Sequence, residues 1–247
     1  MALLDELAVQ SFCYRKFKQH DEVIQALKDN ELDKIELCGV HINPLADHDL
    51  AQTIAKYRDN GIAITAFGVH TFDSNEDNAR KIFEFADMAG FDTITCHFAP
   101  GSLDIVEKLC EEYGKKAALH NHGRGHEHGS VRAIKDLLQV ASKNIGLCLD
   151  TAWMLDMRQN PVEVAKTFRD RLMGVHLKDF IFDRAGLPED VMLGTGNLDL
   201  KALLQYLVDT DYDGLLTLEY EGDVDNPVPS IQRCVDIVRS TFAELGK

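Results

Sequence analysis

A closed (β/α)8 barrel of the TIM type, α/β in class, is the fold this sequence predicts, and three observations predict it. Short apolar segments rich in β-formers alternate with longer stretches of helical period. Strand starts recur at intervals of roughly 24–41 residues, the length of a βα unit. No linker rich in proline, glycine or serine interrupts the chain, so residues 1–247 read as a single domain. A doubly wound open sheet competes, but no GxGxxG follows the first strand.

The strands read, in order, as Leu7–Ser11, Lys34–Cys38, Ala63–Gly68, Thr93–His97, Ala117–Asn121, Ile145–Asp150, Gly174–Asp179 and Leu215–Glu221. Amphipathic segments fill the gaps. In 75–89 an apolar stripe runs through Ala79, Ile82, Phe83, Phe85, Ala86 and Ala89. Other helix starts are signalled by Asp47 or Asp49 before Leu50, Ser102 before Leu103, and Pro161 after Asn160.

With 45% hydrophobic and 27% charged residues, the chain can bury a full core. Its 26 basic and 41 acidic residues leave a net charge of −15, which repels phosphate backbones and argues against a nucleic-acid partner. The six cysteines form no CxxC pair, which suits a reducing compartment. With neither a signal-like start nor a bilayer-length apolar run, the expectation is a cytoplasmic protein with no membrane partner.

Polar residues gather at the carboxyl ends of the predicted strands, the ends that converge on the mouth of a barrel. His41, His70, His97, His120, His122, Asp150, His176, Lys178, Glu219 and Glu221 all fall there. Residues two apart in a strand share a face, which pairs His120 with His122, His176 with Lys178, and Glu219 with Glu221. Asp150 is the only charge in its strand and sits at the tip; an isolated buried carboxylate is costly unless paired or bound to a cation. Two imidazoles and two carboxylates converging from strands five to eight are economically served by one divalent ion.

TITCHFAP, AALHNHGRG, IGLCLDTAWM, MGVHLKDF, GTGNLDL and LTLEYEGD, after IELCGVH, stand in an order that resembles the xylose isomerase-like barrel superfamily. That superfamily includes sugar and sugar phosphate isomerases and epimerases, and endonuclease IV. The resemblance implies one divalent ion held by Glu, Asp, His and Glu from strands five to eight. Asp150, His176 and Glu219 match these ligands, while His120 stands where the first Glu is expected. That exchange biases the ion toward Mn²⁺, Zn²⁺ or Fe²⁺, with Co²⁺ also suited, over oxygen-seeking Mg²⁺. It also breaks the pair of glutamates with which epimerases of the family trade a proton across a sugar.

Proton work then falls to Glu219 or His122, with Lys178 polarising a carbonyl or holding an oxyanion. His70 and His97 are expected across the pocket from the ion, on substrate hydroxyls. Trp153 is expected to stack on a sugar ring. Arg124, in the polar loop 123–129 with His126 and His128, is a candidate for anion recognition. The amides of 194–197 are a candidate receiver for a phosphate or hydroxyl.

The implied activity is metal-dependent isomerisation or epimerisation of a sugar or sugar phosphate through an enediolate. The alternative is a keto-sugar lyase or hydratase, or an eliminase of the C-glycoside type, on the same ion. An endonuclease IV-like trinuclear site lacks two histidines, at Trp153 and Ala185, and a non-catalytic sugar-binding barrel predicts an incomplete ligand set. Family members form dimers or tetramers, so a homo-oligomer is compatible with the resemblance.

Overall fold

Eight parallel strands close on themselves in the order β1-β10-β7-β6-β5-β4-β3-β2. These are β1 (Leu7–Gln10), β2 (Lys34–Leu37), β3 (Ala63–Phe72), β4 (Thr93–Phe98), β5 (Lys116–His120), β6 (Ile145–Asp150), β7 (Leu172–Leu177) and β10 (Leu215–Leu218). The structure, a computed structural model, describes residues 3–246. Around the barrel lie α1 (His20–Asp29), α2 (Leu50–Asp59), α3 (Glu76–Ala89), α4 (Leu103–Tyr113), α5 (Val131–Val140), α6 (Thr151–Asp156), α7 (Pro161–Thr167), α8 (Leu200–Asp209) and α9 (Val228–Glu244). The (β/α)8 barrel expected from the alternation is therefore the observed architecture.

Local chemistry sets the helix limits. Asn75 caps α3 by accepting from the Asn78 amide, and Gly90 ends it in the left-handed region at φ 80°. The stripe Ala79, Ile82, Phe83, Phe85 and Ala86 is buried against the barrel, and each large apolar side chain there contributes roughly 1.5–3 kcal/mol. Asn160 caps α7 with Pro161 in its first turn. Asp49 and Ser102 precede α2 and α4, but neither side chain caps; the Ser102 hydroxyl donates to the Ala99 carbonyl instead. The six cysteines are free and buried. Among the described residues, no helix is long and apolar enough to cross a membrane.

Three differences from the expected elements bear on the site. β3 runs on to Phe72, so His70 lies within the strand, opposite Cys96 of β4. β10 ends at Leu218, so Glu219 and Glu221 stand just beyond it; the Glu219 amide still donates to the Leu177 carbonyl, which holds that segment beside β7. An antiparallel hairpin, β8 (Asp179–Phe182) with β9 (Pro188–Val191), rises after β7. Its first strand follows β7 after a single residue and its second is short and polar, so neither reads as a separate strand.

Strand register brings the chemistry together. A register shift between Leu147 and Cys148 places Asp150 of β6 opposite His176 of β7. His176 pairs in turn with Thr217 of β10. Below them the barrel interior is polar at its centre, where Glu36, Thr95, Thr217 and His176 are fully buried.

Candidate metal centre

Four side chains from consecutive strands meet at the mouth. One ligand atom each from His120, Asp150, His176 and Glu219 lies within 4.8 Å of the others, and all four residues are buried. The sequence brings His120, Asp150 and His176 there as carboxyl-terminal strand residues, and Glu219 as the first residue past β10. Asp150 is fixed from both sides. Its amide and carbonyl exchange hydrogen bonds with the Asn121 side chain at 2.9 and 3.0 Å. Its Oδ1 caps α6 by accepting from the Trp153 amide at 2.8 Å. That leaves Oδ2 buried without a partner, and both nitrogens of His120 are in the same condition.

His120 Nε2 stands 3.6 Å from Asp150 Oδ2 and 3.7 Å from Glu219 Oε2. These spacings are too long for hydrogen bonds. A tetrahedral ion with donors at about 2.1 Å spaces them roughly 3.4 Å apart. The donor set, two imidazoles and two carboxylates with orphaned atoms aimed inward, therefore fits a divalent cation of the Zn²⁺ or Mn²⁺ kind.

The electrostatics agree with the geometry. Burial opposes charge on His120 and His176, yet neighbours hold both above the usual imidazole value: Asp150 and Glu219 for the first, Cys148, Glu36 and Glu219 for the second. Burial likewise opposes charge on Glu219, but Lys178, His176 and His120 hold its carboxyl well below the usual range.

Beneath the four lies a residue the sequence reading passed over. His176 Nδ1 is 2.9 Å from Glu219 Oε2, while its Nε2 is 2.9 Å from Glu36 Oε2. Glu36 also accepts from the hydroxyls of Thr95 and of Thr217, the latter at 3.2 Å. A carboxylate behind a ligating imidazole fixes its tautomer and orientation. The signal was present in IELC: a lone acid in an apolar barrel strand, the same pattern that drew attention to Asp150.

The other expected site residues divide into two groups. His122 and His97 join the centre. The rings of His97 and His122 stack at 4.7 Å, and His97 stands 5.9 Å from the His120 ring. The expected position of His97 across the pocket from the ion is thus corrected, because β4 and β5 are neighbours in the barrel. Burial and the surrounding histidines push His97 and His122 down to about 3, so both rings are neutral at ordinary pH. Trp153 borders this group, 5.8 Å from the His122 ring and edge-on to Phe180 at 5.0 Å.

The second group is engaged elsewhere. Arg124 has its guanidinium engaged within the protein. It binds Asp156 through Nε at 2.9 Å and through its backbone amide at 2.7 Å, and it donates to the Gly186 carbonyl. It ties the 123–129 loop to α6 and the hairpin, which leaves its anion-recognition role without a free fork. The amides of the 194–197 turn are taken too. Asp179 accepts from Gly194, Gly196, Asn197 and Leu198 at 2.8–3.1 Å. A Cβ on Gly196 would stand 2.3 Å from Asp179 Oδ1, so only glycine allows this approach. His70 packs edge-on against Phe72 at 4.9 Å. Lys178 is buried beside Glu221 and 3.4 Å from Asp190. Burial works against its charge, but Glu219, Asp150, Glu221 and Asp190 hold its ammonium above the ordinary value. Asp190, contributed by the unforeseen hairpin, is pushed up to about 7 by burial, against the pull of Lys178.

The family described as xylose isomerase-like TIM barrel matches residues 24–240, most of the chain. The chain belongs to that family. An inosose dehydratase of Clostridium botulinum is 27% identical over 144 residues, 51% of this chain and 48% of the relative, so the match spans about half the length of each. Two solved structures share the fold. The probable 3-DHS dehydratase AsbF of Bacillus anthracis superposes with a TM-score of 0.76 at 17% identity, covering 95% of this chain and 98% of that one. IolI with a bound zinc atom gives 0.74 at 17% identity, covering 97% of each.

Proposed function

We propose that this family member is a divalent-metal-dependent enzyme that removes the proton beside the carbonyl of a keto-sugar or polyol ketone and expels water from the adjoining carbon. The observation that carries this reading is the single glutamate in the centre. Asp150 is anchored through Oδ1 to the α6 amide, and His120 occupies the position of a second glutamate, so Glu219 is the one ligand carboxylate able to take a proton. One-sided proton removal suits elimination, whereas exchange across both faces of a sugar calls for two bases. The dehydratase names of the relatives support the same reading.

A bound divalent ion would supply Lewis acidity at the carbonyl oxygen. His120, Asp150, His176 and Glu219 would hold it, with Glu36 fixing His176. Glu219 turns Oε2 toward His176 and His120, and its other oxygen takes the proton from the carbon beside the carbonyl. The electron pair of that C–H bond becomes the new C=C bond as the C–O bond at the next carbon breaks. The departing hydroxide takes a proton from the Lys178–Asp190–Glu221 cluster and leaves as water. Trp153 and Phe180 flank the Lys178 ammonium at 5.8 and 5.9 Å and keep bulk water from it.

The test is a panel of 3-keto-glycosides, keto-polyols and free ketoses with Mn²⁺- or Zn²⁺-loaded protein. The expected product is an enone lighter by one water, or released aglycone, absorbing in the ultraviolet. A ketose isomer at unchanged mass, with no elimination product, would replace this reading by the isomerase or epimerase one. That second reading is favoured by His122, a neutral imidazole 5.1 Å ring-to-ring from His120 that offers another base.

A further inference from the structure

We propose that a cavity between the 123–129 loop, the end of α6 and the hairpin turn is a binding site for a phosphate-type oxyanion. It encloses about 280 Å³, and Arg124, Arg158 and Arg184 line it, one from each of the three segments. Two carboxylates, Asp156 and Asp183, line it as well. Both are occupied. Arg124 takes Asp156, reaching Oδ1 through Nε and Oδ2 through its backbone amide. Asp183 Oδ1 accepts the Ala185 and Leu187 amides within the turn at 2.8 and 2.9 Å. Among the described residues, the side chains of Arg158 and Arg184 have no ion pair or hydrogen bond, and Arg124 keeps Nη1 unbound. A chain of net charge −15 repels anions over most of its surface, so this cavity is a local reversal of sign.

The guanidiniums also converge. A Cβ on Gly186 would stand 3.7 Å from Arg158 Nη2 and 4.0 Å from Arg124 Nη1. Like charges brought toward one point repel unless an anion lies between them. The planar fork of arginine matches the oxygens of a phosphate two at a time. Leu155 and Phe182 line the same cavity and lower the local dielectric, which strengthens such bonds.

None of the four metal ligands lines this cavity. Asp150 caps the near end of α6 and Arg158 lies past the far end, with six helical residues, roughly 9 Å along the axis, between the two. The inference therefore goes beyond the elimination reading and does not need it.

Equilibrium dialysis of the full chain against radiolabelled phosphate tests it, with a chelator present so that no metal ion holds the phosphate. Ionic strength is kept constant with sodium chloride, because salt screens exposed charges. The expected result is saturable binding of one phosphate per chain, with slowed amide exchange in 123–129 and 183–187. Arg158→Gln and Arg184→Gln should each weaken binding by about tenfold or more at unchanged circular dichroism. Arg158→Lys keeps the charge and loses the fork, and should recover part of that loss. Fructose 6-phosphate and fructose then compete with the label. Displacement by the ester alone makes a sugar phosphate the source of the anion, displacement by neither makes it the free ion, and the site stands in both cases. Displacement by fructose places the phosphate on a sugar site and overturns the inference. So does the absence of saturable binding, or one equivalent that survives both glutamine substitutions together.

Discussion

The two halves of the barrel mouth treat buried polarity in opposite ways. On the side of β7 and the hairpin, the buried charged groups are answered within the protein, apart from Asp190 Oδ1. Asp179 takes four backbone amides, Lys178 lies against Glu221 and Asp190, and Arg124 is bound to Asp156. On the side of β4 to β6, the nitrogens of His97 and His120 and one oxygen of Asp150 are buried with nothing to bond. Each such orphan costs about 1–3 kcal/mol. A fold that answers nearly all the buried charges of one half and clusters orphaned nitrogens and a carboxylate oxygen in the other has room there for something that is not protein. The orphaned atoms of the second half, met by His176 and Glu219 reaching across from β7 and the end of β10, mark where an ion fits, while the paired groups of the first half hold the rim around it.

The most severe way to break this contrast is to remove the ligand that reaches the open half from β7. His176→Ala leaves Glu219 and Glu36 facing a void, and turnover should fall by roughly 10³-fold or more while circular dichroism stays native. Elemental analysis should show the ion lost in parallel. Full activity in metal-free His176→Ala protein would defeat the assignment of the centre. A milder substitution sharpens the contrast from below. Glu36→Gln keeps the size of the side chain but removes the charge behind His176 Nε2, so ion affinity should drop about 10–100-fold. Equilibrium dialysis measures this directly, and Glu36→Asp should recover part of the loss. An unchanged affinity with a lowered melting temperature would make Glu36 a packing residue only.

The same contrast explains what could be read from the sequence. Barrel strands are short apolar runs on a fixed spacing, and their carboxyl ends are where function collects, so Asp150, His176 and the His120–His122 pair stood out by position alone. Arg124 and the 194–197 turn misled for a common reason. Their partners, Asp156 and Asp179, come from other segments, and a sequence shows an unsatisfied donor and a satisfied one in the same letters. Asp190 was invisible because Pro188–Val191, PEDV, is short and carries no apolar alternation to announce a strand. His97 was placed wrongly because a strand-end residue is legible in the sequence, but how close its ring comes to its neighbours depends on β4 lying beside β5 in the closed barrel.

The smallest predicted effect lies away from both halves, at His70. Its ring is lodged between Phe67 and Phe72, and burial lowers it from 6.5 to about 4, with Asp73 pulling weakly the other way. A base lowered in the folded state contributes stability that is whole above its unfolded value and is lost as pH falls from 6.5 toward 4. Over that window the folded protein resists a proton that the unfolded chain accepts, so stability declines with a slope of at most about 1.4 kcal/mol per pH unit. Because the ring is only partly shielded, the loss between about pH 7.5 and about pH 5 should be nearer 1 than 2 kcal/mol. Urea unfolding of metal-stripped wild type and His70→Gln at both pH values isolates this contribution, since the other histidines titrate alike in the two proteins. The stability advantage of the wild type should shrink on acidification. Parallel curves would mean that His70 stays hydrated at the mouth, within reach of a ligand, and would return it to the open half.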